Sequence, residues 1–387
     1  MLGPLRIYRT FVLPTAILAG TIIGAGIFAL PFVFHTSGVG IGILYLVAAG
    51  GIYTLIHLLY ADILLRMPGT HRFVGLATRF TGRGGGALAI VVSVIQMLFV
   101  MTIYLVLSQS FSALLFPGMN RIVPLIVFWI LGSAALFSNA RRIAILEFLS
   151  LLGIIGVILF VFAIGLPELH AVRWIDIAPR ASLILLPLAP VLFSLAGRVA
   201  IPSLISLLRA EHVPQVPRAL RRAIIAGTVI PAVVYLLFVL GVFGLTPNPT
   251  EDAVTGLASV LSGPVLLALG ALGLVALWSS YITVGLDVHS ILRYDLSAPR
   301  ALRAALVIGG PPLLFAAGFQ QFIPLIAFVG GIFLSLEGML ILLMWQQANR
   351  TLEAPPSLIR NTPSFGIAAA WTMFAAALLY ELITYFS

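Results

Sequence analysis

Charged positions along this chain fall in short clusters, and between them run apolar stretches too long and too numerous for a water-soluble core. A sliding window of ~19 residues places membrane spans near 11–34, 39–63, 86–116, 121–138, 143–165, 181–208, 220–245, 260–292, 301–317, 321–346 and 364–386. The pattern therefore predicts an all-α polytopic membrane protein of eleven spans. No linker is long or polar enough to mark a soluble unit, so residues 1–387 are expected to form a single transmembrane domain.

Composition agrees: 61% of residues are hydrophobic, 9% are charged and the mean hydropathy is +1.16. All 21 basic residues are Arg, and their distribution orients the spans. With the N-terminus inside, seventeen fall in inner loops or at inner span ends: Arg6, Arg9, Arg66, Arg72, Arg79, Arg83, Arg141, Arg142, Arg209, Arg218, Arg221, Arg222, Arg293, Arg300, Arg303, Arg350 and Arg360. Only Arg121, Arg173 and Arg180 fall outside, and Arg198 lies within a span, as the positive-inside bias requires. The net charge of +9 thus reflects membrane orientation and carries no signal for nucleic acid. The N-terminus is expected in the cytoplasm and the C-terminus outside. The run from Phe11 to Phe34 lacks a polar cleavage region, so it reads as a retained first span rather than a signal peptide. With no cysteine in the chain, disulfides, thiolate metal sites and cysteine nucleophiles are excluded.

Two spans carry their own interruptions. The stretch AGTIIGAGIFALP, residues 19–31, places Gly20, Gly24 and Gly26 in the first span, and Pro187, Pro190, Gly197 and Pro202 surround Arg198 in the sixth. Glycine pairs such as Gly20 and Gly24 also serve close helix packing. A mid-span break, however, frees backbone N–H and C=O groups that lipid cannot satisfy, so such backbone must face protein, a cavity or a ligand. Breaks in the first and sixth spans point to two inverted five-helix repeats, 11–165 and 181–346, followed by an additional helix at 364–386. Half-helix N-termini then offer N–H groups and a positive dipole end to an anionic group, while freed carbonyls suit a cation. A zwitterionic amino acid fits such a site. Thr21, Ala25 and Gly26 lie at the first break, and Phe193, Ser194 and Gly197 line the sixth.

The segment GTIIGAGIFALP resembles the first-span signature of the hydroxy/aromatic amino acid permease and amino acid/auxin permease families of the amino acid–polyamine–organocation superfamily. SLAGRVAIPSL in the sixth span, SSYITVGLD in the eighth and ADILLRMPG closing the second are similar to their bacterial members in the same order. The resemblance implies a leucine-transporter-type fold in a prokaryotic cell membrane. It also implies a sodium ion held by the carbonyls of Gly20 and Ile23 and the hydroxyls of Ser279 and Ser280, with Thr283 in reserve, and a third-span Tyr104 that closes over the substrate. Oxygen-only ligands suit a hard ion. The alternative for these hydroxyls is a bond back to their own helix carbonyls. Ile27 stands where a second sodium would need a polar side chain, so no second sodium is expected.

Arg198 departs from the family pattern, which usually has His there. A buried guanidinium needs an anion, whether the substrate carboxylate or a pair with Glu337 or Asp287. Arg198, Asp287 and Glu337 are therefore the candidates for coupling or gating. His289 and His57 read as bundle residues, and Asp62 reads as a loop-pinning or solvated residue near the inner interface. The six His residues show no i, i+4 metal spacing, and no nucleophile elbow or Walker loop occurs. No catalytic residue, cofactor or metal beyond a sodium is expected, and the chain is not read as an enzyme. The function predicted is secondary active transport of an amino acid by alternating access and ion-coupled symport. Sodium is preferred over protons, because a neighbouring Arg198 would oppose proton exchange at the acids. An amino-acid-sensing receptor on a transporter fold, or a uniporter or exchanger, is the alternative. The partners are the amino acid and the lipid bilayer, with the oligomeric state open.

Overall fold

The computed structural model describes residues 6–67, 69, 71–136, 140–171, 183–352, 358–359 and 364–386, with side chains omitted over 140–150 and at 171 and 386. Arg173, Asp176, Arg180 and Arg360 lie outside the described residues, as do the side chains of Arg141 and Arg142. Helix α1 is bent by 51° between α1a (Tyr8–Ile22) and α1b (Ala25–Ser37). Then come α2 (Val39–Arg66), α3 (Phe73–Leu115), α4 (Ile122–Ala135) and α5 (Ala140–Gly165). Helix α6 is split into α6a (Leu188–Ser194) and α6b (Ile201–Ala210), with a 3₁₀ turn at Arg198–Ala200 between them. Helices α7 (Val216–Leu245) and α8 (Gly263–Tyr294) are continuous. Helix α9 is assembled from Arg300–Ala304, a π turn at Ala305–Gly309 and Gly310–Ala316. Helix α10 (Phe322–Thr351) and helix α11 (Ser364–Phe386) complete the bundle.

Eight helices are long and apolar enough to cross a membrane, nine with the bent α1 pair, among the described residues. They fall on the predicted spans. At 14 residues α4 reaches only about 21 Å, short of a ~30 Å hydrocarbon layer. Helix α3 exceeds its expected length for a local reason. Gly82 adopts φ 77°, a conformation open chiefly to glycine, so Phe73–Thr81 forms a separate helical arm ahead of the spanning part. Gly38, at φ 105°, makes the one-residue turn between α1b and α2.

Helix α7 packs along α1a and α5, α8 packs along α3 and α5, and α10 lies between α3, α2 and α11. Prolines mark the restarts: Pro31 opens the α-helical part of α1b and Pro202 opens α6b, positions where the missing N–H costs nothing. At the arginine-rich end, fully buried Asp62 accepts hydrogen bonds from Trp345 Nε1 (3.2 Å) and from the Leu358 N–H (3.0 Å). It also pairs with Arg66 at 3.4 Å, and Arg66 donates to Asn349 Oδ1 at 2.6 Å. One carboxylate thus pins α2, α10 and the segment after α10 together, the loop-pinning role read from its position. Removing one member of a buried charged set strands its partners. Asp62→Ala is expected to destabilise the protein by about 3–5 kcal/mol, read as a lowered thermal unfolding midpoint in detergent.

Candidate functional site

The two helix breaks meet. A Cβ on Gly26 would lie 2.7 Å from both Cα and Oγ of Ser194 and 3.0 Å from Phe193 Cδ1, so α1b and α6a touch backbone to backbone. A Cβ on Gly197 would come within 2.6 Å of Ile22 Cγ1, so the second break seats on α1a. Gly24 behaves differently. A Cβ there meets nothing closer than 3.9 Å, at Ile22 O and at the hydroxyl of Tyr104. The space beside Gly24 therefore opens toward Tyr104.

The breaks are tied by a residue that sequence reasoning did not single out. Tyr235 of α7 is fully buried, and its hydroxyl lies 2.6 Å from the Ile22 carbonyl and 2.9 Å from the Ser194 carbonyl. It donates to the last turn of both half-helices, α1a and α6a. Nothing in the sequence around Tyr235 signals this beyond a tyrosine within an apolar span. Toward α1b, Phe28 packs edge-on against Phe111 of α3 and Phe238 of α7, with ring centres 5.2 and 5.7 Å apart.

Of the expected substrate residues, Ala25, Gly26, Phe193, Ser194, Gly197 and Tyr104 are brought to this junction. Thr21 is exposed, and its hydroxyl bonds back to Ile17 O at 2.9 Å. The Ser194 hydroxyl likewise bonds back, to Pro190 O at 2.7 Å, which leaves main-chain groups and ring faces as its neighbourhood's ligand-facing features.

The expected sodium set divides between two helices. The carbonyls of Gly20 and Ile23 accept no backbone N–H among the described residues, because the break removes the donors one turn on. On α8, Ser279 is buried and Ser280 half-buried. The Thr283 hydroxyl, on the same helix face, is buried without a partner. Elsewhere in the bundle Thr21, Ser37, Thr102, Ser194 and Thr228 all bond back to their own helix. The Thr283 hydroxyl does not follow that pattern, and neither do those of Thr15, Ser93 and Ser133. Helix α5 flanks both halves: its Leu151 approaches Gly20, and its Gly153 approaches Leu272, two turns before Ser279. No hydrogen bond joins the two halves among the described residues.

Arg198 has found its anion. Its Nε lies 2.8 Å from Glu337 Oε1, both side chains buried, and its guanidinium carbon stacks 3.9 Å above the Phe73 ring. Glu337, and not Asp287, is the partner; Asp287 sits half-buried on α8. Around the pair, Tyr53 OH, His57 Nε2 and Glu337 Oε2 have no hydrogen-bond partner among the described residues, while His57 Nδ1 meets Thr228 Oγ1 of α7 at 3.1 Å. His57 is therefore a linked residue of the α2–α7 contact, and His289 lies half-buried in the last turns of α8.

A family model described as the tryptophan/tyrosine permease family matches residues 9–355. The chain belongs to the tryptophan/tyrosine permease family. Of the two families that the sequence resembles, this supports the aromatic one and not the amino acid/auxin permeases specifically. A curated relative, the tyrosine-specific transport system 1 of Haemophilus influenzae, is 24% identical over 340 residues, covering 82% of this chain and 83% of its own. Three solved transporters share the fold. Mhp1, a nucleobase-cation-symport-1 family transporter with bromovinylhydantoin bound, superposes with a TM-score of 0.64 at 15% identity over 96% of this chain and 90% of its own. The manganese transporter of Eremococcus coleocola gives 0.66 at 15% over 99% and 87%, and MhsT in complex with L-phenylalanine gives 0.62 at 16% over 96% and 97%.

This permease is thus an all-helical transporter of the leucine-transporter type and not an enzyme. Its junction makes two sharp statements. In the permease, Gly26→Val drives a side chain into the Ser194 backbone and is expected to abolish folding or substrate binding. Gly24→Ala meets open space and is expected to leave the unfolding midpoint near the wild-type value, while Gly24→Leu fills the space beside Tyr104 and removes binding. Ligand-induced thermal shifts separate the three. Tyr235→Phe keeps the packing but leaves the Ile22 and Ser194 carbonyls without the hydroxyl, and is expected to cost about 1–3 kcal/mol, measured by the same unfolding assay.

Proposed function

We propose that this permease takes an aromatic amino acid into a prokaryotic cell by alternating access, in symport with one sodium ion, with its arginine-rich end in the cytoplasm. The observation that carries the reading is the junction of the two breaks around Tyr235. Main-chain groups freed at α1 and α6 are available to a carboxylate and an amine, and Tyr104, Phe193 and Phe28 stand beside them to receive an aromatic side chain. The family match and the tyrosine-specific relative support the substrate class. The Arg distribution supports the orientation.

Two observations favour sodium. The Gly20 and Ile23 carbonyls accept no backbone N–H and the Thr283 hydroxyl has no partner among the described residues; with the hydroxyls of Ser279 and Ser280 they make an oxygen set suited to a hard cation. Protonating Glu337 would strand the Arg198 charge away from water, so this pair is a poor proton carrier and a better gate or structural lock.

The test is uptake of labelled tyrosine, tryptophan and phenylalanine into proteoliposomes. Uptake is expected to require a sodium gradient and to vanish when choline replaces sodium. Ser279→Ala and Thr283→Ala are expected to raise the sodium concentration for half-maximal uptake by roughly tenfold, equivalent to about 1.4 kcal/mol. Uptake indifferent to sodium but lost with the proton gradient, and lost again in Asp287→Asn, would establish proton coupling instead. Binding without flux would identify a sensor.

A further inference from the structure

At the arginine-rich end, where α1a begins and α7 starts, the surface folds into a pocket of ≈ 690 Å³. Arg6 contributes from the approach to α1a, and Arg218 and Arg222 contribute from the first two turns of α7. None of the three pairs with a carboxylate among the described residues, and the nearby Glu211 is already held by Arg9 at 2.9 Å. The first turn of α7 contains no acidic residue, and its N-cap Gln215 makes no side-chain cap. Like charges are therefore concentrated at the positive end of a helix, an arrangement that repels itself until an anion arrives.

The remaining walls are apolar and face away from the bundle. Ile7 and Phe11 of the first turns line the same pocket and are exposed, and the exposed face continues along α7 through Ile225 and Val229. A basic pocket opening onto an apolar track along membrane-spanning helices has the chemistry of a lipid site: charge for the phosphate, hydrocarbon contact for the chains. A soluble anion would leave the track unused.

We propose that this pocket binds the phosphate headgroup of an anionic glycerophospholipid, with an acyl chain along α1a and α7. Such a lipid adds a bridge between the start of α1a and α7, beside the exposed Arg9–Glu211 pair that joins α1a to the end of α6b. Because α1a carries one side of the helix break, the lipid stabilises one position of that half-helix. The inference does not depend on which amino acid is carried or on the coupling ion.

The experiment uses the full chain, delipidated in neutral detergent, and follows its thermal unfolding midpoint as phosphatidylglycerol, phosphatidylcholine or inorganic phosphate is added at equal phosphate concentration. Phosphatidylglycerol is expected to raise the midpoint by several degrees, saturably, with little shift from the other two. The double variant Arg218→Gln, Arg222→Gln is expected to lose the shift. Arg293→Gln with Arg300→Gln, which removes equal charge at the same end of the bundle, is expected to keep it. Should the first double variant fail to fold, Arg6→Gln alone reads the same pocket and is expected to weaken the phosphatidylglycerol response severalfold. An equal shift with phosphatidylcholine, a full shift with inorganic phosphate, or a shift that survives in the Arg218, Arg222 and Arg6 variants would each overturn the proposal.

Discussion

A lipid environment offers no hydrogen bonds, so every backbone group released by a mid-span break must be answered from within the protein. In this permease Tyr235 answers for both breaks at once. Its hydroxyl reaches the carbonyls of Ile22 and Ser194, the last turns of α1a and α6a, from a third helix that is itself continuous. Two interrupted spans can therefore coexist at the bundle centre without a large desolvation cost. The carbonyls of Gly20 and Ile23 are left over, without a backbone N–H among the described residues. The same constraint that makes a broken helix expensive in a membrane thus makes it a ready source of ligand atoms.

Close approach supplies the second half of the design. Gly26 lets α1b lie on the backbone of Ser194, and Gly330, in the π turn of α10, lets that turn lie on Ala189 O of α6a, where a Cβ would be only 2.1 Å away. In hydrocarbon, helix association relies on packing and interhelical hydrogen bonds rather than on expelling water, so small residues at these crossings do what large apolar ones do in a soluble core. The π turn at Val329–Leu334 adds local irregularity to α10 where it packs on α6a, and a second π turn lies at Ala305–Gly309 in α9. Such turns recur at functional positions because they redirect side chains without ending the helix.

Two ion pairs lie inside the bundle among the described residues. Asp62 and Arg66 lock α2 to α10 near one end, and Arg198 and Glu337 link α6 to α10 closer to the breaks. Arg198 also lies on Phe73, the first residue of the arm that precedes the kink at Gly82. The neighbouring Arg72 stacks on Tyr294 and donates to Ser290 O of α8. The arm thus connects the sixth and eighth helices at the arginine-rich end, where a transporter must open and close. Just past α8, Asp295 is 4.0 Å from Arg72; burial raises its carboxyl above the usual range while Arg72 draws it down.

Much of this was legible in one dimension. Span positions, the interruptions of the first and sixth helices and the family follow from hydropathy, from Gly and Pro within apolar runs and from a short contiguous motif, all of which are local properties that bilayer physics reads directly. What only the tertiary structure decided are choices among distant partners. The sequence offered Arg198 two acids, and the fold placed Glu337 against it. It offered Thr21 at the first break, and the bend turned that side chain outward to its own helix. It contained ten tyrosines, and only the packing of α7 across both breaks selected Tyr235. Hydrogen bonds and ion pairs between residues 41 to 213 positions apart depend on how helices are rotated about their axes, and that rotation is set by the whole bundle rather than by any single span.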